Sequence, residues 1–146
     1  MRRVLVLLAM FGLLSLGATA QVDCPGPAPV FDLITIEVVN STPVAIEAIF
    51  ATSDDPFITQ DELLEFGDLS VLTVPAGEVD SFDLFCDEAA ALILDQANLL
   101  VSGGGSIGTN ILYLDEDYFC GEIISFEFFA SQDLFELDVE VTFFEP

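Results

Sequence analysis

The side chains with chemical capacity in this sequence are almost all carboxylates. There are 26 Asp and Glu, no His, and two basic residues, Arg2 and Arg3, both ahead of the first acid, Asp23. Two clusters have the spacing of hard-oxygen ligands. Asp115-Glu116-Asp117 is followed by Glu122, and Asp54-Asp55 lies across a short connection from Asp61 and Glu62. Calcium takes about six to eight oxygens, many from loops of this kind. The first cluster departs from the EF-hand pattern, because Phe119 occupies a ligand position and Gly121 falls one residue late. The metal candidates are therefore Asp115, Asp117 and Glu122 in one loop and Asp54, Asp55 and Asp61 in the other. Ca²⁺ is the ion they would take, and no other cofactor is expected.

The rest of the inventory narrows function by exclusion. Without His or Lys there is no usual general base, imidazole ligand or Schiff base, and Ser and Cys nucleophiles have no His beside them. Gly103-Gly104-Gly105-Ser106 has no following Lys and cannot cradle phosphate. Glycoside hydrolysis needs only two carboxylates. Any two of 26 acids form a pair on paper, so a small carboxylate-pair hydrolase is the remote alternative. Nucleic acid, bound through Lys and Arg, is not an expected partner, and neither is an anionic membrane surface. Metal cations, polyamines and basic proteins or peptides suit the charge.

The acids must sit on a frame, and the chain before Asp23 is not part of it. Arg2 and Arg3 form a short basic region, Val4 to Leu16 is apolar, and Ala18-Thr19-Ala20 is a small-x-small cleavage site. Residues 1–20 read as a secretory signal peptide, because a bilayer span needs roughly twenty apolar residues and this run is shorter. Residues 21–30 form a Pro-rich extended lead-in, and residues 31–146 one domain in a secreted or periplasmic protein, with no membrane contact once the leader is removed. The mature chain has about 126 of the 146 residues, enough for one buried core. With 14 Phe and 53% hydrophobic residues it is not a disordered acidic tail.

Three cysteines in an exported chain suggest one disulfide and one residue over. Cys86 follows a strand-like run and Cys120 precedes another, which favours Cys86–Cys120. Cys24, within Cys24-Pro25-Gly26-Pro27, pairs with either of them or joins two molecules in the alternatives.

The dominant hydropathy period is two. Phe135, Leu137, Val139, Val141 and Phe143 alternate with Glu136, Asp138, Glu140 and Thr142, after a run with Ile124, Phe126 and Phe128 on one face. A loop over 130–133 predicts a hairpin with Phe128 opposite Phe135, Phe126 opposite Leu137 and Ile124 opposite Val139. A three-residue loop at Ser41-Thr42-Pro43 predicts a second, with Val38 opposite Ile46 and Ile34 opposite Phe50. A turn at Pro75-Ala76-Gly77-Glu78 predicts a third, pairing Val71 with Phe82 and Leu69 with Leu84. These registers set Glu127 opposite Glu136 and Glu37 opposite Glu47, like-charge pairs that call for cations from solvent.

Thr59-Gln60-Asp61-Glu62 is a capping-box sequence and predicts a short helix ahead of Gly67. Residues 87–101 fit either a helical stripe or two strands, Ala90–Leu94 and Ala97–Ser102, turning at Asp95-Gln96. The all-β surroundings favour strands. The sum is an all-β, two-sheet, immunoglobulin-like sandwich of about seven or eight antiparallel strands, without the buried Trp of true immunoglobulin domains. The expected function is a non-catalytic binding or structural module with an acidic surface. The alternative is a subunit of an extracellular assembly joined through Cys24 or sheet edges.

Overall fold

The computed structural model describes residues 32–145. The segments expected to be a signal peptide and a Pro-rich lead-in, with Cys24, lie outside the described residues. Strand β1 is Leu33–Asn40, β2 Ile46–Ser53, β3 Asp68–Val74, β4 Val79–Phe85 and β5 Ala91–Leu99. Then follow β6 Ser106–Ile107, β7 Leu112–Tyr113, β8 Ile123–Ala130 and β9 Leu137–Phe144, and helix α1 spans Gln60–Phe66 between β2 and β3. The strands make two sheets, β4-β1-β8-β9 and β3-β2-β5-β6, with β7 also paired to β5. The expected all-β two-sheet sandwich is the architecture, with nine strands and one parallel pairing, β1 with β8.

Alternation builds the core. Ile34, Ile36 and Val38 of β1 and Ile124, Phe126 and Phe128 of β8 are fully buried on the inner face of one sheet. Ile46, Ala48 and Phe50 of β2 and Leu92 and Leu94 of β5 are fully buried on the other. Phe50 spans the gap, its ring 5.0 Å from Phe126 and 5.7 Å from Phe82 of the opposite sheet.

Two of the three expected hairpins are sheet-to-sheet crossovers. β1 pairs with β4 and β8, and β2 pairs with β3 and β5. The inward sets Ile34/Ile36/Val38 and Ile46/Ala48/Phe50 therefore meet across the sandwich instead of lying side by side. The turn after β3 likewise passes to the other sheet, and Phe82 and Leu84 lie opposite Ile36 and Ile34 of β1, not opposite Val71 and Leu69. Alternation specifies which face is buried, not which strand lies alongside it.

Asn40 holds both crossovers. Its side chain is 1% exposed, and its Nδ2 donates to the carbonyls of Val44, Val74 and Pro75, each at 2.9 Å, two hydrogens shared among three acceptors. Its Oδ1 accepts from the Thr42 amide at 3.0 Å and the Thr42 hydroxyl at 2.7 Å. Its backbone N–H donates to Glu78 and its carbonyl accepts from Gly77. One amide thus fixes the β1–β2 connection and the β3–β4 turn together.

The third hairpin, β8–β9, forms with a shifted register. Phe128 lies opposite Val139, Phe126 opposite Val141 and Ile124 opposite Phe143, four residues beyond the expected partners. An even shift keeps each side chain that stays in the strand on its expected face, so Leu137 and Val139 still turn inward. Phe135 does not and is 68% exposed. The loop consumes 131–136: the Ser131 amide donates to the Glu136 carbonyl, the Leu134 amide to the Ser131 carbonyl, and Leu134 takes a left-handed backbone, φ 62°. Gly105 sits against this loop, donating to the Leu134 carbonyl at 2.8 Å. A Cβ there would stand 2.7 Å from the Phe135 oxygen, so Gly105 is packed against the loop with no room for a side chain.

Residues 91–99 are a single strand. Phe50 pairs with Leu94 and Ile49 with Gln96, which leaves Asp95 as the extra residue of a β-bulge where a turn was expected. The bulge changes parity, so Leu92 and Leu94 before it and Ala97 and Leu99 after it all face the core. Ala91 and Ile93 are buried too, because Leu63 of α1 packs on the outer face of this sheet with Ala51, Ala91 and Ile93. A strand buried on both faces has no alternation to read. The helix itself is as expected, with Thr59 and Glu62 forming a reciprocal capping box.

Replacing Asn40 tests the double staple. Asn40→Ala removes a donor shared by three buried or half-buried carbonyls, of which Val44 keeps the Thr42 hydroxyl and Pro75 the Glu78 amide, and takes the acceptor from Thr42; it should destabilise by about 2–4 kcal/mol. Asn40→Asp is expected to be worse, because it sets an oxyanion against those carbonyls. Urea unfolding midpoints of the two variants rank them.

Candidate functional site

The acidic loop 115–122 uses its carboxylates locally. The Tyr113 amide donates to Asp117 Oδ2 at 2.8 Å, and the Phe119 amide donates to Glu122 Oε2 at 2.9 Å. Asp115 adopts a left-handed backbone, φ 64°, a conformation that Asp tolerates, and its amide donates to the Tyr118 carbonyl. The tight turn carries Tyr118 into the core, fully buried, where its hydroxyl donates to the Ala89 carbonyl. Burial pushes the Tyr118 phenol above its ordinary value, and the neighbouring Asp117 charge pushes it the same way. Cys120, two residues on, is bonded to Cys86 with a Cα–Cα distance of 5.9 Å. The sequence signal for Tyr118 was only its closeness to Cys120.

The second loop divides its acids. Asp55 Oδ1 accepts from the Phe57 amide at 2.9 Å, and the Asp55 amide donates to Ser53 Oγ at 3.1 Å. Asp61 lies in the first turn of α1. Glu62 Oε2 accepts from the Thr59 hydroxyl at 2.7 Å and the Thr59 amide at 3.1 Å. These bonds, the hydroxyl's first, hold the Glu62 carboxyl below its ordinary value. Among the described residues no group of three or more His, Cys, Asp or Glu converges in a way that could hold a metal ion.

The same neutral partnership covers the outer face of the β4-β1-β8-β9 sheet. The Thr35 hydroxyl donates to Asp83 at 2.7 Å, the Ser125 hydroxyl to Glu37 at 3.0 Å, and the Ser41 hydroxyl to Glu127 at 2.7 Å. Neither expected like-charge pair forms. Glu37 lies between Ser81 and Ser125, Glu47 lies between Thr73 and Asn98, and Glu127 faces Glu140 in place of Glu136. In the β8–β9 loop, the Ser131 hydroxyl and then the Phe135 amide hold the Asp133 carboxyl below its ordinary value.

Asp54, one of the six metal candidates, enters a concavity. An open cleft of about 500 Å³ lies between the end of β2, the end of α1, the start of β3 and the residues after β4. Asp54, Asp68, Asp87 and Glu88 line it with Phe66 and Leu84. All four acids are exposed to water. A smaller cleft of about 350 Å³ adjoins it at Asp87, beside Cys86. Asp68, Asp87 and Glu88 were not singled out from the sequence: the β2–β3 pairing sets Asp68 opposite Thr52, near Asp54, and the passage of the chain from β3 to the other sheet brings Asp87 and Glu88 there.

The fold and its surface define a disulfide-linked all-β sandwich with a wholly anionic set of charged side chains in the described residues. No family model matches the chain, and no curated protein matches it. The chain is similar to the NMR structure of a protein from Eubacterium rectale, with 11% identity, a TM-score of 0.43, and 79% of this chain and 91% of that one covered. A likeness at this level bears on neither mechanism nor ligand.

Two titrations check these assignments. Thr59→Val removes the hydroxyl donor, and the Glu62 carboxyl should move up toward 4.5, followed by side-chain carbon NMR. Tyr118 acts at the other end of the pH scale. Its folded value is raised above the unfolded value near 10, so its contribution is intact below pH 10 and is lost as pH rises beyond it. Tyr118→Phe should abolish that alkaline loss while costing about 1–2 kcal/mol at neutral pH, because the Ala89 carbonyl loses its donor. Unfolding midpoints between neutral pH and pH 11 read both effects.

Proposed function

We propose that the chain is an exported, non-catalytic binding or structural module that presents a carboxylate surface to cations or basic partners. One observation carries this reading. Wherever a described carboxylate has a hydrogen-bond partner, the donor is a hydroxyl or a backbone amide, which orients the acid without neutralising it. All acids but Asp23 lie in the described residues and both arginines outside them, so their counter-charge comes from the surroundings. The Cys86–Cys120 bond suits an oxidising compartment and supports export.

The hydrolase alternative gains a concavity but not an acid. A general acid of the glycosidase type needs a carboxyl withdrawn from water, whereas Asp54, Asp68, Asp87 and Glu88 are all exposed. The cleft also lacks Trp and Tyr, the usual sugar platforms.

Ionic strength tests the cation reading. Between about 10 mM and about 0.15 M NaCl the Debye length falls from about 30 Å to about 8 Å. Relief of about 1 kcal/mol of repulsion would raise the melting temperature by about 4 °C. A flat profile would mean that the carboxylates do not act on one another, and the proposal would fall. Calcium chloride at matched ionic strength separates a diffuse ion atmosphere, which moves the midpoint no further, from a caged ion at 54–61 or 115–122, which does.

A further inference from the structure

The three long edge strands, β3, β4 and β9, are not protected alike. An edge strand offers a row of unpaired N–H and C=O groups, and proteins guard such rows with charges, Pro, bulges or brevity. Edge strand β4 carries Asp80 and Asp83, edge strand β9 carries Asp138 and Glu140, and β6 and β7 are two residues each. The β3 edge carries one such guard, Asp68 at its first residue, and none beyond it. It is hydrogen-bonded to β2 alone, and after Asp68 it runs Leu69-Ser70-Val71-Leu72-Thr73-Val74 with no charge, Pro or Gly. Leu69 and Val71 project outward, 63% and 56% exposed. In a chain with 26 acids, six successive residues at a free edge without one are a local departure from the rule.

We infer that the β3 edge is a docking site for an extended, cationic segment of a partner protein, which adds as a strand beside β3. This rests on the proposed cation-directed function and assigns it a place. Backbone groups of Leu69–Val74 supply the ladder, and Leu69 and Val71 contact alternate apolar side chains of the incoming strand. Charge complementarity identifies the occupant. The edge begins at Asp68, which lines the cleft with Asp54, Asp87 and Glu88, so a Lys or Arg at that end of the segment enters a concavity of four carboxylates. Phe66, 72% exposed, and Leu84 supply apolar wall for the stem of that side chain. A second copy of the chain is a poor occupant, because it brings a second set of carboxylates and, over residues 32–145, no cation.

The probe is a synthetic peptide of alternating valine and threonine ending in two lysines, with a twin ending in two glutamates. Titration into ¹⁵N-labelled protein should shift the amides of Asp68–Val74 and of Asp87 and Glu88 with the lysine peptide and not with its twin. Val71→Lys guards the edge without touching the core and should weaken the lysine peptide at least about tenfold, a difference of about 1.4 kcal/mol. Asp68→Asn with Glu88→Gln should weaken it about threefold and flatten its salt dependence. Shifts confined to the outer face of the β4-β1-β8-β9 sheet, unaffected by Val71→Lys, would overturn the edge assignment and leave the general cation reading standing. No response to the lysine peptide or to spermidine at any site would overturn both. A concentration-dependent dimer abolished by Val71→Lys, with no peptide response at β3, would replace the cationic segment by a second copy.

Discussion

With no cationic side chain in residues 32–145, every carboxylate there must be exposed, spaced from its neighbours or hydrogen-bonded to a neutral donor. Much of the architecture follows. Asp138 and Glu140 alternate outward along β9, Asp80 and Asp83 of β4 are both exposed, Thr35 faces Asp83, and Ser81 and Ser125 flank Glu37. The side of the same strands that packs on the core is Leu, Val and Phe. The one buried acid among the described residues, Glu122, is held by a backbone amide. No buried side-chain polar atom among the described residues lacks a partner. Neutral donors are weaker partners than cations, yet they place the anions without cancelling them, and that is what leaves the surface available to others.

The sandwich also depends on how its layers are joined. Two sheets with their inner faces interdigitated need connections that leave one layer and enter the next. Here the connections after β1 and after β3 are tied by one buried Asn side chain. Phe50 between Phe82 and Phe126 plays the corresponding part in the middle of the core, where the layers touch through rings. The Cys86–Cys120 bond ties the end of β4 to the loop that leads into β8. Restraining a separation of 34 residues is worth about 4 kcal/mol in the chain-entropy account.

Much of this was legible in the residues and some of it was not, for reasons that differ from element to element. The faces of β1, β2, β8 and β9, the capping box of α1 and the Cys86–Cys120 pair were readable, because each is local or follows from parity. The partners of β1 and β2 were not. A period of two is equally satisfied by a neighbour in the same sheet and by a facing strand in the other. The four-residue displacement in β8–β9 was invisible for the same reason, since it returns each side chain that stays in the strand to the same face. β5 was ambiguous because α1 buries its second face and Asp95 interrupts its phase. Asn40 resembled ordinary turn chemistry, and nothing in its neighbours disclosed the distant carbonyls of Val74 and Pro75. The cleft of Asp54, Asp68, Asp87 and Glu88 is a product of long-range topology and has no sequence signature at all.

The parallel pairing of β1 with β8 sets a schedule for the chain. β1 lies in the interior of its sheet, between β4 and β8, and its partner contacts begin at Val79 on one side and Ile123 on the other. A polypeptide delivered from its N-terminus therefore cannot close that sheet until most of its length has appeared. The first strand must wait, apolar face open, for one of the last. Low local contact content slows such folds, and here it also means that an emerging chain stays threadable until it is nearly complete.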